Sequence, residues 1–437
     1  MVVERSMAER FVNVDRETPM LLPPDLRDWV ADNELARLIL EAVELCDLQG
    51  ASRNVRGSGS EQYPPTMMLA LLIYCYASGT FSSRRIERAT YDSVAVRYLC
   101  GNHHPDHDTI AHFRRQNGAL FGRCFATVVQ LAREAGLLKL AAISIDGTKL
   151  AGAASKRSVR TLEQIEAELQ ELESQGASLL AQAEVADRSD HDAGGTQLPP
   201  ELADGRVRRE KLLAAKAQIE ERRRRAAEAG REDGPHSARR TSKASLSEPE
   251  SRLLRTEGGR GSVQGYNAQV AADAGQSGLI VGQHLSDEAT DYGLVGAGVA
   301  SVVSEAGPPA VVLVDKGYEN SELIARVEEA HQVMILCPLR HRPHTQEHPT
   351  QRRGQRRHVF ALRQKMKARL ARPPLQELYR RRAVTVEPVF ARIKRHLGFT
   401  RLRCWGHRAA SAEWTLVCLA HNLRMLTGKL PRRESAS

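Results

Sequence analysis

A chain of 437 residues, 41% of them hydrophobic, can bury at least one full core, which excludes disorder throughout and leads us to expect two or three domains. No apolar run reaches the roughly eighteen residues of a membrane span, and residues 1–11, with Glu4, Arg5, Glu9 and Arg10, lack a signal-peptide core, so a cytoplasmic protein with no membrane partner is expected. The formal charge of +10 permits a polyanionic partner, and the 7 cysteines, with no CxxC pair and no zinc spacing, read as reduced, mostly buried thiols.

The region up to residue 138 reads as helical. Asn33 is a candidate cap for a helix carrying Leu35, Leu38, Ile39, Ala42 and Val43 at spacings of three and four. Pro64 and Pro65 precede a long Ala/Leu/Met-rich stretch over 67–76, which fits a buried helix better than a strand. Ser82 or Ser83 caps a short helix with Arg84, Arg85 and Arg88. Asp108 caps the next, with Ile110 and Phe113 inward and His112, Arg114 and Arg115 outward. Two short arginine-bearing helices fit either a helix-turn-helix DNA reader or an ordinary helical bundle. His103, His104 and His107 fall in a Pro/Asp loop and are weak metal candidates.

At Ala141 the pattern changes to alternation: Ile143 and Ile145 on one face, Ser144 and Asp146 on the other, a strand that ends at an acid. Residues 150–260 show little β character. Ile165, Leu169 and Leu172 fall at helical spacing with Gly176 as the expected stop, and a second helix over 200–229 carries Leu212, Ala215 and Ile219 with Arg222 to Arg225 exposed. A helical hairpin inserted into another domain is the simplest reading, with flexible stretches at 187–200 and 234–260.

The β pattern resumes at Gly265. Strands over 266–272 and 279–284 form a hairpin, a helix covers 291–305, and the apolar run 310–314 is a central strand ending at Asp315. A helix over 321–331 and a strand over 332–337 follow, giving an α/β domain with a mixed sheet and acids at strand ends. If the strands of Asp146 and Asp315 are neighbours, their carboxylates converge, and a hard cation such as Mg²⁺ needs little more than such oxygens and water.

Charge is unevenly placed: residues 340–408 hold 20 Lys/Arg against 3 acids, and the remainder holds 43 against 50. One of the three acids, Glu387, lies in Val386-Glu387-Pro388-Val389-Phe390. Thr385 is the expected N-cap there, and Pro388 suits a first turn. On that helix Glu387 and Lys394 nearly eclipse, beside a stripe of Phe390, Ile393 and Leu397.

Ile145-Asp146-Gly147-Thr148, Val314-Asp315-Lys316-Gly317-Tyr318 and the block from Tyr379 through Arg382, Glu387 and Lys394 to Phe399 resemble the three catalytic blocks of bacterial insertion-sequence DDE transposases. The closest resemblance is to the insertion-sequence family numbered eleven eighty-two. It extends to the Tyr63-Pro64-Pro65 region, Gly265-Tyr266-Asn267-Ala268-Gln269, Glu413-Trp414 and His421-Asn422. The related Tyr-Arg-Glu-Lys signature has three residues between Arg and Glu, whereas four separate Arg382 from Glu387, which leaves Arg381 and Arg380 as alternatives.

The resemblance implies a ribonuclease-H-like mixed-sheet catalytic domain over 139–160 and 261–428. Around it are expected a helical, DNA-end-binding domain over 1–138, a partly flexible helical insertion over 161–260 and a disordered tail at 429–437. It implies Asp146, Asp315 and Glu387 as catalytic and metal-binding residues for two Mg²⁺ ions, with Mn²⁺ as a substitute. Tyr379, Arg382, Lys394, Arg381, Arg114 and Arg115 are the expected contacts to double-stranded DNA, both terminal inverted repeats and target. A homodimer on nucleoid DNA is the expected assembly. The competing readings are a DNA-binding relative without catalysis and a ribonuclease-H-like nuclease without strand transfer.

Overall fold

The computed structural model describes residues 25–52 except Asn33, 61–187, 200–228, 242–255, 261–340 except Gln276, and 353–427 together with Lys429. Among the described residues seven helices come first: α1 (Leu26–Trp29), α2 (Leu35–Glu44), α3 (Pro65–Ala77), α4 (Ser83–Asp92), α5 (Val94–Leu99), α6 (His107–Gln116) and α7 (Gly118–Glu134). Pro65 sits where a helix has no use for an N–H, and α3 buries Met67 through Ile73 on every side, as its composition leads one to expect.

Three expectations for this region change. Glu34 caps α2 through the Ala36 N–H, and Asn33 lies outside the described residues. Asp106, not Asp108, caps α6, accepting from Thr109 N at 2.7 Å, while Asp108 occupies the first turn, where the helix dipole favours an acid. Arg114 points inward. It is buried, donating to the Tyr76 hydroxyl and the Phe81 carbonyl, so it is not placed to contact DNA; Arg115 is exposed. A third helix, α5, and the 100–106 loop separate α4 from α6, in place of the short turn a helix-turn-helix needs. His104 stacks on Tyr91, with ring centroids 3.9 Å apart, and His107 bonds Glu87, so both histidines serve local packing.

Strand β1 (Ala142–Ala151) is central in a sheet with β4 (Arg252–Arg255), β5 (Ser262–Asp273), β6 (Ile280–Ser286), β7 (Val311–Leu313) and β8 (Met334–Leu336). It runs antiparallel to β5 and parallel to β7, which is parallel to β8. Both β4 and β6 pair with β5. The sheet is therefore mixed, with its parallel part on the side of Asp315. Helix α10 (Val295–Ala300) is shorter than the 291–305 span predicted, and α11 (Ser321–His331) matches its prediction.

After α12 (Arg353–Leu370) and α13 (Pro373–Ala391), a five-residue π-turn (Arg392–His396) leads by an extended segment to α14 (His407–Leu426). Helix α14 is buried over most of its length. It packs between α3 and α7 on one side and β6 on the other, so the N-terminal helices and the sheet share one hydrophobic core. The polar residues of α14 join these layers: Trp414 Nε1 donates to Gln269 O, and the Asn422 amide both accepts from Ile280 N and donates to Ile280 O. All seven cysteines are buried and unbridged.

The hairpin helices are α8 (Leu162–Asp187) and α9 (Pro200–Glu228). Gly176 does not stop α8, which continues for three more turns, since one glycine inside a helix costs only about 1 kcal/mol. Strand β2 (Val159–Thr161) pairs with β3 (Lys243–Ser245) at the hairpin base. The 150–260 stretch thus holds more strand than its composition suggests, β4 included. Ile165, Leu212, Ala215, Ile219, Ala244 and Leu246 form a small separate core. Arg222, 1% exposed, donates to the carbonyls of Lys243, Pro249, Glu250 and Ser251, which fixes the hairpin to the chain that returns to the sheet. The links at 188–199 and 229–241, and the tail beyond Lys429, lie outside the described residues.

Candidate active site

Asp146 does not end β1, which continues for five residues to Ala151. Parallel pairing to β7 stops at Ser144–Leu313, whereas antiparallel pairing to β5 carries on through Asp146–Val270. Asp146 therefore stands just past the point where β1 and β7 part, and its carboxylate meets Arg382 of α13. Burial raises its pKa to about 6. The Arg382 guanidinium opposes that rise, and the nearby charges of Asp315 and Asp291 add to it. Arg382 Nη2 donates to Asp146 Oδ2 at 2.8 Å.

Asp315 lies two residues beyond β7, where it caps a 3-10 turn (Lys316–Tyr318) by accepting from Gly317 N. The glycines after each aspartate have a shared reason. A Cβ on Gly147 would fall 1.9 Å from Gln269 Nε2 and 2.5 Å from Asp291 Oδ1, and one on Gly317 would fall 2.6 Å from Asp315 Oδ1 and 3.4 Å from Asp291 Oδ2. Both positions are kept bare so that carboxylates can crowd together.

Asp291 is the acid that sequence reasoning missed. Asn267 Nδ2 and Gln269 Nε2 donate to its Oδ1 at 2.9 and 2.8 Å, and Tyr318 donates its hydroxyl to Gln269 Oε1. The clue was Asn267 and Gln269 on the same face of a buried strand, since buried amides require partners.

Glu387 comes from α13. This helix begins at Pro373 and runs straight through Thr385 and Pro388, so neither plays the part expected of it. The Thr385 hydroxyl donates to Arg381 O at 2.7 Å, one turn back, instead of capping. Thr385, Val386 and Val389 are buried, and that packing outweighs the backbone bond that Pro388 removes. The π-turn follows within one turn. Glu387, exposed, and Lys394 nevertheless share a wall as predicted: with Pro388 and Arg395 they face Asp146, Gly147 and Thr148 across a cleft of about 770 Å³.

The other expected contacts are distributed around this cleft. Tyr379 is half-buried and donates to Val314 O, beside Asp315, at 3.2 Å; burial pushes its phenol up to about 12. Arg381 is exposed on the outer face of α13. Arg382 is drawn inward, and its Nε is buried with no partner among the described residues.

Among the described residues no three acids, histidines or cysteines close on one point as a metal cage. The donors still suit a hard divalent cation: the cleft offers carboxylate oxygens and no thiol or imidazole, and Arg382 supplies Asp146 with the positive charge that a cation would otherwise provide.

Residues 24–116 match the family described as Transposase domain (DUF772), and residues 316–427 match the family described as Transposase DDE domain. No curated protein and no solved structure matches the chain. One match covers helices α1 to α6 and the other begins directly after Asp315 and includes Glu387 and Lys394, and together they support an insertion-sequence DDE transposase.

Proposed function

We propose that the protein cuts DNA at insertion-sequence ends and joins the freed ends to target DNA, using the cleft between β1 and α13. The observation that carries this reading is the shared cleft itself, which sets Asp146 and Glu387 on facing walls with Lys394 and Arg395 beside them. The mixed sheet, with Asp146 on its central strand, supports the ribonuclease-H-like fold that the resemblance implies. The narrower placement in family eleven eighty-two rests on the residue blocks.

Asp146, Asp315 and Glu387 would hold two Mg²⁺ ions, or Mn²⁺ in their place, and bound there such ions acidify an attacking water or 3′-hydroxyl and stabilise a leaving oxygen. Lys394 and Arg395 hold the phosphates that flank the cut. Asp291, clamped by Asn267 and Gln269, braces the loop that carries Asp315 from behind. Arg382 holds Asp146 in place and leaves it for a phosphate when the cleft fills, which would also give its buried Nε a partner. Tyr379 fixes the end of β7, so that Asp315 cannot swing away. A homodimer would bring two transposon ends together on nucleoid DNA.

The test is a labelled terminal-repeat duplex incubated with the protein, target plasmid and Mg²⁺. Cleavage followed by transfer of label to the plasmid is expected. Cleavage without joining would leave a ribonuclease-H-like nuclease, and binding without cleavage would leave a DNA-binding relative.

A further inference from the structure

The segment between the π-turn and α14 is held as an extra edge of the catalytic sheet. Ala151 N donates to Thr400 O at 3.2 Å, and Leu402 N donates to Ala151 O at 2.8 Å, so the segment lies alongside the end of β1. Its side chains alternate as in a strand: Leu402 and Cys404 are buried, while Arg401, Arg403 and Trp405 face out, Trp405 with 56% of its surface exposed.

A buried strut enforces that alternation. Glu413, fully buried, accepts from Arg403 N and Cys404 N at 2.7 and 2.9 Å, and its other oxygen accepts from the Tyr76 hydroxyl at 2.7 Å. Arg114 in turn donates to that hydroxyl at 3.0 Å. Arg114, one of the two arginines expected to reach DNA from the N-terminal helices, thus helps to fix this edge instead.

No carboxylate among the described residues pairs with the Arg401 or Arg403 guanidinium. Several other arginines of the basic region do have such partners: Arg363 has Glu319, Arg369 has Glu328, Arg380 has Glu377 and Arg382 has Asp146. The edge also continues the cleft. Arg395 lines the cleft and begins the run, and Ala151 lies five residues beyond Asp146 on β1, about 17 Å or the length of about five base pairs.

We propose that this edge carries the DNA duplex that flanks the cut, with Arg401 and Arg403 on its phosphates and Trp405 packed against a base or sugar. The proposal rests on the transposase reading and names the surface through which that reading engages its substrate. Charge complementarity selects the partner, because uncompensated guanidinium groups in a row match a row of phosphates.

The test uses the full chain in a Trp29→Phe background, since Trp29 is also exposed, with a fluorescent 30-base-pair duplex of arbitrary sequence titrated between about 50 and 200 mM salt. Arg401→Ala with Arg403→Ala should lower the slope of log affinity against log salt by about 2, and the double Lys variant should keep it. Trp405 emission should be quenched by the duplex, and the quenching should vanish in Trp405→Phe. An unchanged slope in the double Ala variant, or an emission indifferent to bound DNA, would overturn the proposal and leave the function standing. A wild-type chain that binds no duplex even at low salt would overturn both.

Discussion

The hairpin of α8 and α9 and the edge from Arg395 to Arg408 are both rich in arginine, and they use it in opposite ways. In the hairpin, Arg208 meets Glu168, Arg209 meets Glu173, Lys216 meets Glu166, and Arg224 and Arg225 meet Glu221. These basic groups are neutralised by acids of the hairpin itself, and such exposed pairs add little stability. Along the edge, Arg401 and Arg403 keep their charge for something outside the chain. The number of arginines in a stretch therefore says less about DNA than where the nearest carboxylates fall, and only the fold decides that.

Charge reversal would break or sharpen this contrast most strongly. Arg401→Glu with Arg403→Glu should weaken duplex binding on the order of 100-fold at moderate salt, while Arg206→Glu with Arg209→Glu in the hairpin should change it by less than about threefold, both read by anisotropy. Equal losses would erase the distinction.

A second test concerns the arginine of the hairpin that does perform a structural task. Arg222→Leu leaves four carbonyls without their donor and should cost about 2–4 kcal/mol. Hydrogen exchange should quicken in α8 and α9 and stay slow in the sheet. Uniform quickening would mean that the hairpin is part of the main cooperative unit.

A third test uses pH. Burial, aided by the neighbouring His407, lowers the pKa of His284 to about 4 from 6.5. Above pH 6.5 the imidazole is neutral in both folded and unfolded chains. As pH falls towards 4 only the unfolded chain takes up the proton, so the folded state loses stability, by about 2 kcal/mol at pH 5. Among the described residues both ring nitrogens are buried without partners, so His284→Leu should make the fall of melting temperature between pH 6.5 and 4 shallower, leaving the part due to His421, whose pKa burial also lowers to about 4. An unchanged pH profile would place the acid sensitivity elsewhere. The smallest effect is expected from Arg209→Gln, an exposed pair with 3.8 Å between its charges, which should shift melting by less than about 1 °C.

Local patterns in the sequence were good guides wherever the deciding neighbour was also local. Helix α11 was legible from its apolar spacing, Asp315 from the apolar run before it, and the common cleft of Glu387 and Lys394 from helical phase. They failed where a distant partner decides. Thr385 and Pro388 look like a helix start, but burial of Val386 and Val389 carries α13 through them. Arg114 has the sequence position of an outward residue, and its partners Tyr76 and, through it, Glu413 lie on α3 and α14. Asp291 is inconspicuous until β5 brings Asn267 and Gln269 against it.

The most direct test of the central claim compares binding with cutting in one variant. Glu387 is exposed on the cleft wall, so Glu387→Gln should fold normally and bind terminal-repeat DNA with affinity within a few-fold of wild type. With Mg²⁺ present its cleavage of that DNA should fall by at least about a thousandfold, since the carboxylate oxygen is lost at the reacting centre. Cleavage at the wild-type rate by this variant would contradict the assignment of the cleft between β1 and α13 as the active site.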